Sequence, residues 1–176
     1  MAIKIAKLTL RAFNEQDVDD MYHILLGKNV LRHFPNSSPP SRVQVEKMIR
    51  GLLEHWGKHG YGLWAVHSRS EEKLMGRCGL QYLPETDEVE VDFILGNKFW
   101  GQGFATEAGH ASLQYGFETL GLNTIVGIVH RDNIASQRVL EKIGMRFMEA
   151  KEYFGMACFQ YALEKSQYEL RHSNND

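Results

Sequence analysis

No apolar run in this 176-residue chain approaches the roughly 20 residues that cross a bilayer, and Met1 to Lys7 lack the long apolar core of a secretory signal. A cytoplasmic protein is expected. Cysteine is scarce: Cys78 and Cys158 stand in separate strand-like segments without Cys-x-x-Cys spacing, which excludes a zinc knuckle or redox pair and reads as two buried free thiols. Excess charge is missing too. A net charge of −2 gives no general attraction to a phosphate backbone, so nucleic acid is not an expected partner. Only His55 and His59 share an i, i+4 spacing, with Gly57 between them and no third ligand following, so no metal site is expected. No Ser-His-Asp or Cys-His arrangement has local support, and there are no internal repeats.

What is present is enough for one domain, 1–176, with a sizeable core. The chain is organised around Val89 to Thr106. Glu90 to Leu95 alternates charged and apolar residues as a half-buried strand does, and Gly101 and Gly103 leave the backbone bare just before an Ala-rich helical run. Bare N–H groups at a helix start attract anions. Two phosphate motifs fail here: neither glycine is followed by Lys as a P-loop requires, and Thr106 stands where a dinucleotide fingerprint has Gly or Ala.

The rest falls into regular elements. Lys7 to Phe13 alternates as a first strand, and Asn14 caps a helix with Val18, Met21, Tyr22 and Leu25 on one face. Residues 28 to 40 are irregular. Ser41-Arg-Val-Gln44 is a capping box opening a helix that buries Val45, Met48, Ile49, Leu52, Leu53 and Trp56. Strands at Leu63 to Ser68 and Leu74 to Leu83, joined by the polar turn 69–72, lead through Pro84 to Asp87 into the central strand. A helix then runs to about Leu120, with Gly121 after it. A strand at Thr124 to His130 precedes a helix over 134–143, capped by Asp132 or Asn133 and stopped by Gly144. Two last strands, Phe147 to Tyr153 and Met156 to Leu163, join near Gly155, and 165–176 reads as a polar tail that frays.

The pair Trp100-Gly-x-Gly-Phe-Ala-Thr-Glu-Ala108 and Asn133-x-Ala-Ser136-x-Arg-Val-Leu-Glu-Lys142-x-Gly144-Met145 resembles the GNAT N-acetyltransferases, within them the branch like the RimJ and RimL ribosomal-protein acetyltransferases. The resemblance implies a single α/β domain with a mixed, mostly antiparallel seven-stranded sheet, splayed between strands four and five and flanked by about four helices. It also implies acetyl-CoA as cosubstrate, no metal, and direct attack by a primary amine. By matching, Phe93, Ile94 and Leu95 pair through their main chain with pantetheine, and Gly101, Gln102, Gly103, Phe104, Ala105 and Thr106 hold the pyrophosphate. Trp100 departs from the Gln or Arg the family places there, which removes a side-chain donor from a site built mainly of backbone N–H groups. The resemblance further implies that Asn133 holds the pantetheine amide and that Ser136, or in its place Tyr153, serves the leaving sulfur.

Alkyl ammonium groups are protonated near pH 7, whereas an α-amine with a pKa of about 7.7–8.0 is partly neutral and asks less of a base. Glu90 matches a strand-four acid common in the family, acting directly or through water. Asp92 shares its face at roughly 7 Å, so one of the two pKa values is expected to rise. Arg32, Phe34 and Pro35 on the irregular connection are candidates for substrate contact, with Glu90 and Asp92 favouring a cationic amine. The preferred acceptor is a protein or peptide N-terminus. A small amine such as an amino acid, polyamine or aminoglycoside is the alternative, and a non-catalytic acyl-CoA-binding module is the alternative of another class. A monomer or a homodimer is expected, with no membrane partner.

Overall fold

The computed structural model describes residues 2–71 and 73–173. One mixed sheet in the order β1-β2-β3-β4-β5-β6-β8-β7 runs through it. Strands β1 (Ala2–Lys4), β2 (Leu8–Arg11), β3 (Leu63–Ser68), β4 (Leu74–Leu83) and β5 (Glu88–Leu95) are antiparallel neighbours. β6 (Thr124–His130) is parallel to β5, and β8 (Met156–Glu164) and β7 (Arg146–Tyr153) complete the other edge antiparallel. The strand beyond the expected seven is β1. A turn closed by the Ile5 N–H on the Leu8 carbonyl, 3.0 Å, folds three largely exposed residues back on β2, too few to carry a periodic signal.

Helices cover both faces. On one side, α1 (Asp17–Leu25) and α2 (Arg42–His59) bury Val18, Met21, Leu25, Val45 and Ile49 against Ala65, Leu74 and Ile94. The Ser41–Gln44 capping box is formed, but Leu53 stays 37% exposed, because the inward stripe of α2 is narrower than its apolar spacing suggests. Asn14 organises the approach to α1 by accepting the Gln16 N–H at 2.9 Å, and Gln16 occupies the cap position itself.

The other face is covered by α3 (Phe104–Gln114) and α4 (Ile134–Lys142). A Cβ at Gly109 would come within 3.2 Å of Ile143, so this small residue permits the close approach of the two helices. The helix expected to run to Leu120 ends in a π-helical turn, Tyr115–Thr119. That wider turn directs Tyr115, Gly116 and Phe117 all inward, with Gly116 directly against Ile125.

The segment expected to fray is helical over Lys165–Ser173 as α5, and 174–176 lie outside the described residues. Tyr168 is the reason. Its ring packs 4.9 Å from Phe117 and its hydroxyl donates to Glu118 Oε1 at 2.7 Å, anchoring an otherwise polar helix to the core.

Candidate active site

β5 and β6 share one register pair, Glu90 opposite Val126, and beyond it they diverge. A cleft of about 250 Å³ opens there. Its floor is the β4–β5 hairpin, where the register sets Gln81 opposite Glu90 and Arg77 opposite Ile94, diagonal to Asp92. One wall is the end of β6 with the start of α4, including His130, Asn133 and Ser136. The rim carries His33, Phe34 and Pro35 from the α1–α2 connection and Phe154 and Met156 from the β7–β8 hairpin.

Glu90 is buried to 6% exposure, its Oε2 accepting from Gln81 Nε2 at 3.0 Å. Burial foremost, and then the carboxylate of Asp92, push its pKa from 4.5 up to about 8. The Gln81 amide, the Ile128 backbone N–H and the Arg77 charge pull the other way and do not offset this. The expected rise in one acid therefore falls on Glu90. Asp92 is the partner held by a cation: Arg77 Nη2 stands 2.9 Å from its Oδ2, an ion pair by distance without hydrogen-bond alignment.

The glycine turn lies at the start of α3. Gly101 and Gly103 take φ of +72° and +84°, and a Cβ at either would meet open space. Gly103 caps α3 without a side-chain acceptor, and the first helical bond is that of the Glu107 N–H to the Gly103 carbonyl, 2.9 Å. The amides of Phe104, Ala105 and Thr106 therefore precede the intrahelical ladder and are free to meet a phosphate. Gln102 braces the turn by donating from Nε2 to the Lys98 carbonyl at 2.9 Å.

The three residues expected to pair with pantetheine differ. The Gly96 N–H bonds to the Met75 carbonyl, so by alternation the main chain of Ile94 faces β4, while Phe93 and Leu95 face the gap. Leu95 is partly occupied, since the Trp100 indole N–H donates to its carbonyl at 2.8 Å. Trp100 thus tethers the strand end to the glycine turn.

On the opposite wall, Asn133 caps α4, its Oδ1 accepting the Ser136 N–H at 3.2 Å, and both residues line the cleft. Tyr153 does not line it. Its ring borders a smaller neighbouring cavity of about 170 Å³, and burial foremost, then Glu88, raise its phenol pKa, which makes it a poorer proton donor. Arg32 is likewise outside the cleft, an exposed residue one position before the inward-facing His33 and Phe34.

Sequence reading passed over Arg77, Gln81, His130 and Phe154. A signal existed for the first two: they are polar residues four apart in an apolar strand, on the face that meets Glu90 and Asp92 across a hairpin. His33 and His130 approach across the cleft mouth with ring centroids 5.2 Å apart. Burial, then His130 and Arg32, hold the His33 pKa below its usual value. Cys158, read as a spectator thiol, is buried yet borders the cleft. Among the described residues, no three His, Cys, Asp or Glu side chains are grouped to hold a metal ion, and no helix is long and apolar enough to cross a membrane.

Residues 7–146 match the model of the acetyltransferase (GNAT) domain family. The uncharacterized N-acetyltransferase YoaA of Bacillus subtilis is 28% identical over 141 residues, covering 80% of each chain. RimL, a ribosomal L7/L12 alpha-N-protein acetyltransferase solved with coenzyme A, superposes with a TM-score of 0.78 at 20% identity, over 93% of this chain and 98% of its own. Spermidine N-acetyltransferase from Vibrio cholerae, solved with CoA and spermine, does so at 0.76 and 20%, with the same coverage. The two structures share this fold while their acceptors differ. By the family match and the relatives it resembles, this chain belongs to the GNAT family and is an acetyl-CoA-dependent N-acetyltransferase.

Proposed function

We propose that this enzyme acetylates the α-amine of a protein or peptide N-terminus by direct attack, with Glu90 receiving the proton. The observation carrying this reading is the burial of Glu90 on the cleft floor, with its pKa pushed up to about 8. A base at that level is matched to an α-ammonium of about 7.7–8.0, whereas deprotonating an alkyl ammonium near 10.4 would be uphill by more than about two units. The local charge agrees. Arg77 offsets Asp92, which leaves a cleft floor with little negative charge for a polycation.

Acetyl-CoA supplies an activated thioester. The bare amides at the start of α3 would hold its pyrophosphate, and the gap-facing main chain of Phe93 would pair with the pantetheine arm. Asn133, with its oxygen spent on the α4 cap, retains its amide N–H groups for the same arm. Ser136, which lines the same cleft, would donate to the departing sulfur. Glu90, oriented by Gln81, accepts the proton of the attacking amine. The free thiols of Cys78 and Cys158 support a reducing, cytoplasmic setting.

The test is mass-spectrometric detection of transfer to unmodified peptides and to spermidine at equal concentration. Peptides acetylated at the α-amine, with turnover reduced about 10²-fold or more in E90Q, are expected. Transfer to spermidine alone would overturn the N-terminal reading.

A further inference from the structure

Arg77 is, among the described residues, the only lysine or arginine lining the cleft, and its pairing is incomplete. Nη2 meets Asp92 Oδ2 at 2.9 Å out of hydrogen-bond alignment, and Nη1 donates to the soft sulfur of Met48 at 3.6 Å. Among the described residues, the Nε–H has no acceptor and Asp92 Oδ2 has no aligned donor. Buried polar groups left this way are costly, so the pair favours any ligand that completes it. A donor and an acceptor open side by side complement a group that offers one of each.

An α-aminoacyl unit does so, through its carbonyl oxygen and the amide N–H that follows; a polyamine offers donors and no carbonyl. The spacing agrees, because Glu90 and Asp92 lie two residues apart on β5, roughly 7 Å, about the 3.5 Å span of one residue plus the length of one hydrogen bond, about 3 Å. We propose that Arg77, together with Asp92, is a specificity-determining contact that reads the carbonyl oxygen beside the acceptor amine, restricting the acceptor to α-aminoacyl compounds. This rests on the cleft being the acceptor site. Both open atoms are shielded from water in the unliganded cleft, so Arg77 turns from Met48 onto the acceptor, giving up only a weak sulfur contact.

The experiment compares phenylalaninamide with phenethylamine, which differ by the carbonyl-bearing group, at one pH and saturating acetyl-CoA. The intrinsic basicity of each amine cancels when the ratio of their kcat/KM values is compared between wild type and R77Q. That ratio is expected to fall about tenfold or more in R77Q, chiefly through the KM of the amide. The double variant R77Q/D92N leaves no unpaired buried charge; it is expected to show the same loss and gives the reading if R77Q does not fold. An unchanged ratio in the folded variants overturns the proposal while transfer to amines stands. If wild type acetylates neither compound, calorimetric titration of both into the CoA complex decides. Tighter binding of the amide that disappears in R77Q supports the contact even though the transfer reading falls, and equal or undetectable binding overturns it.

Discussion

The carboxylate of Glu90 is held by a neutral amide, Gln81 Nε2 at 3.0 Å, while its neighbour on the same face, Asp92, has the guanidinium of Arg77 at 2.9 Å. Two acids on one strand face are thereby separated in role. One is paired with a cation, and the buried one with the amide becomes the group that can exchange a proton near neutral pH.

Removing Gln81 moves that balance in a known direction. Its hydrogen bond pulls the Glu90 pKa down against burial, so in Gln81→Leu the pKa rises further. The alkaline-rising limb of kcat/KM for a peptide acceptor is expected to shift to higher pH, with the plateau rate less affected. A pH–rate profile of wild type and variant side by side checks this; coincident limbs would mean that Glu90 is not the group being titrated.

The same pKa governs stability. Glu90 ordinarily ionises at 4.5 and in the folded protein near 8, so between those values the native state holds a proton that the unfolded chain has released. Its contribution is fully present below about pH 4.5 and is lost as pH rises to about 8. E90Q has no such loss. Its stability relative to wild type is expected to grow by a few kcal/mol, on the order of the linkage term, from pH 5 to pH 9. Urea unfolding at pH 5, 7 and 9 measures this, and parallel curves for the two proteins would contradict a buried, protonated Glu90.

Phe154 trades stability for a place at the rim. It adopts φ of +53° at the tip of the β7–β8 hairpin, ahead of Gly155 at +74°, and is 53% exposed while bordering both cavities. An aromatic residue in the left-handed region costs about 1–2 kcal/mol that Asn largely avoids. F154N is expected to raise Tm by roughly 2–4 °C for about 1 kcal/mol of relief, and to raise the acceptor KM without moving that for acetyl-CoA. A lower Tm would show that the ring contributes more through packing than its backbone strain removes.

These residues show where sequence reading succeeds and stops. The capping box at Ser41, the bare glycines before α3 and the acid at Glu90 are local or periodic, and the structure contains each of them. Irregular loops carry no such period, so the neighbours Arg32 and His33 could not be assigned to opposite sides of the backbone. The hairpin after Tyr153 was equally opaque, because Phe154 is not a residue that announces a left-handed turn, and the adjacent Tyr153 points to the wrong cavity. α5 is held by a partner distant in sequence, Phe117 for Tyr168, which no local pattern displays, and β1 is too short for its pairing of Ile3 with Leu10 to show as a period.

α5 therefore offers a test of the fold independent of chemistry. Tyr168 is 7% exposed, stacks on Phe117 in the π turn and donates to Glu118, so one side chain fastens the final helix to the element that follows the phosphate turn. Y168A removes the ring and leaves a cavity, at an expected cost of about 3 kcal/mol. For a chain of this length that lowers Tm by roughly 6–12 °C. Y168F keeps the ring and loses only the hydrogen bond, about 1 kcal/mol. Neither Tyr168 nor its partners Phe117 and Glu118 line the cleft, so both variants are expected to keep wild-type kcat and KM when assayed well below their melting temperatures. Equal Tm values for Y168A and wild type would mean that α5 is not docked through this residue. A loss of turnover in a still-folded Y168F would mean that the π turn transmits to the active site, a coupling that its packing does not require.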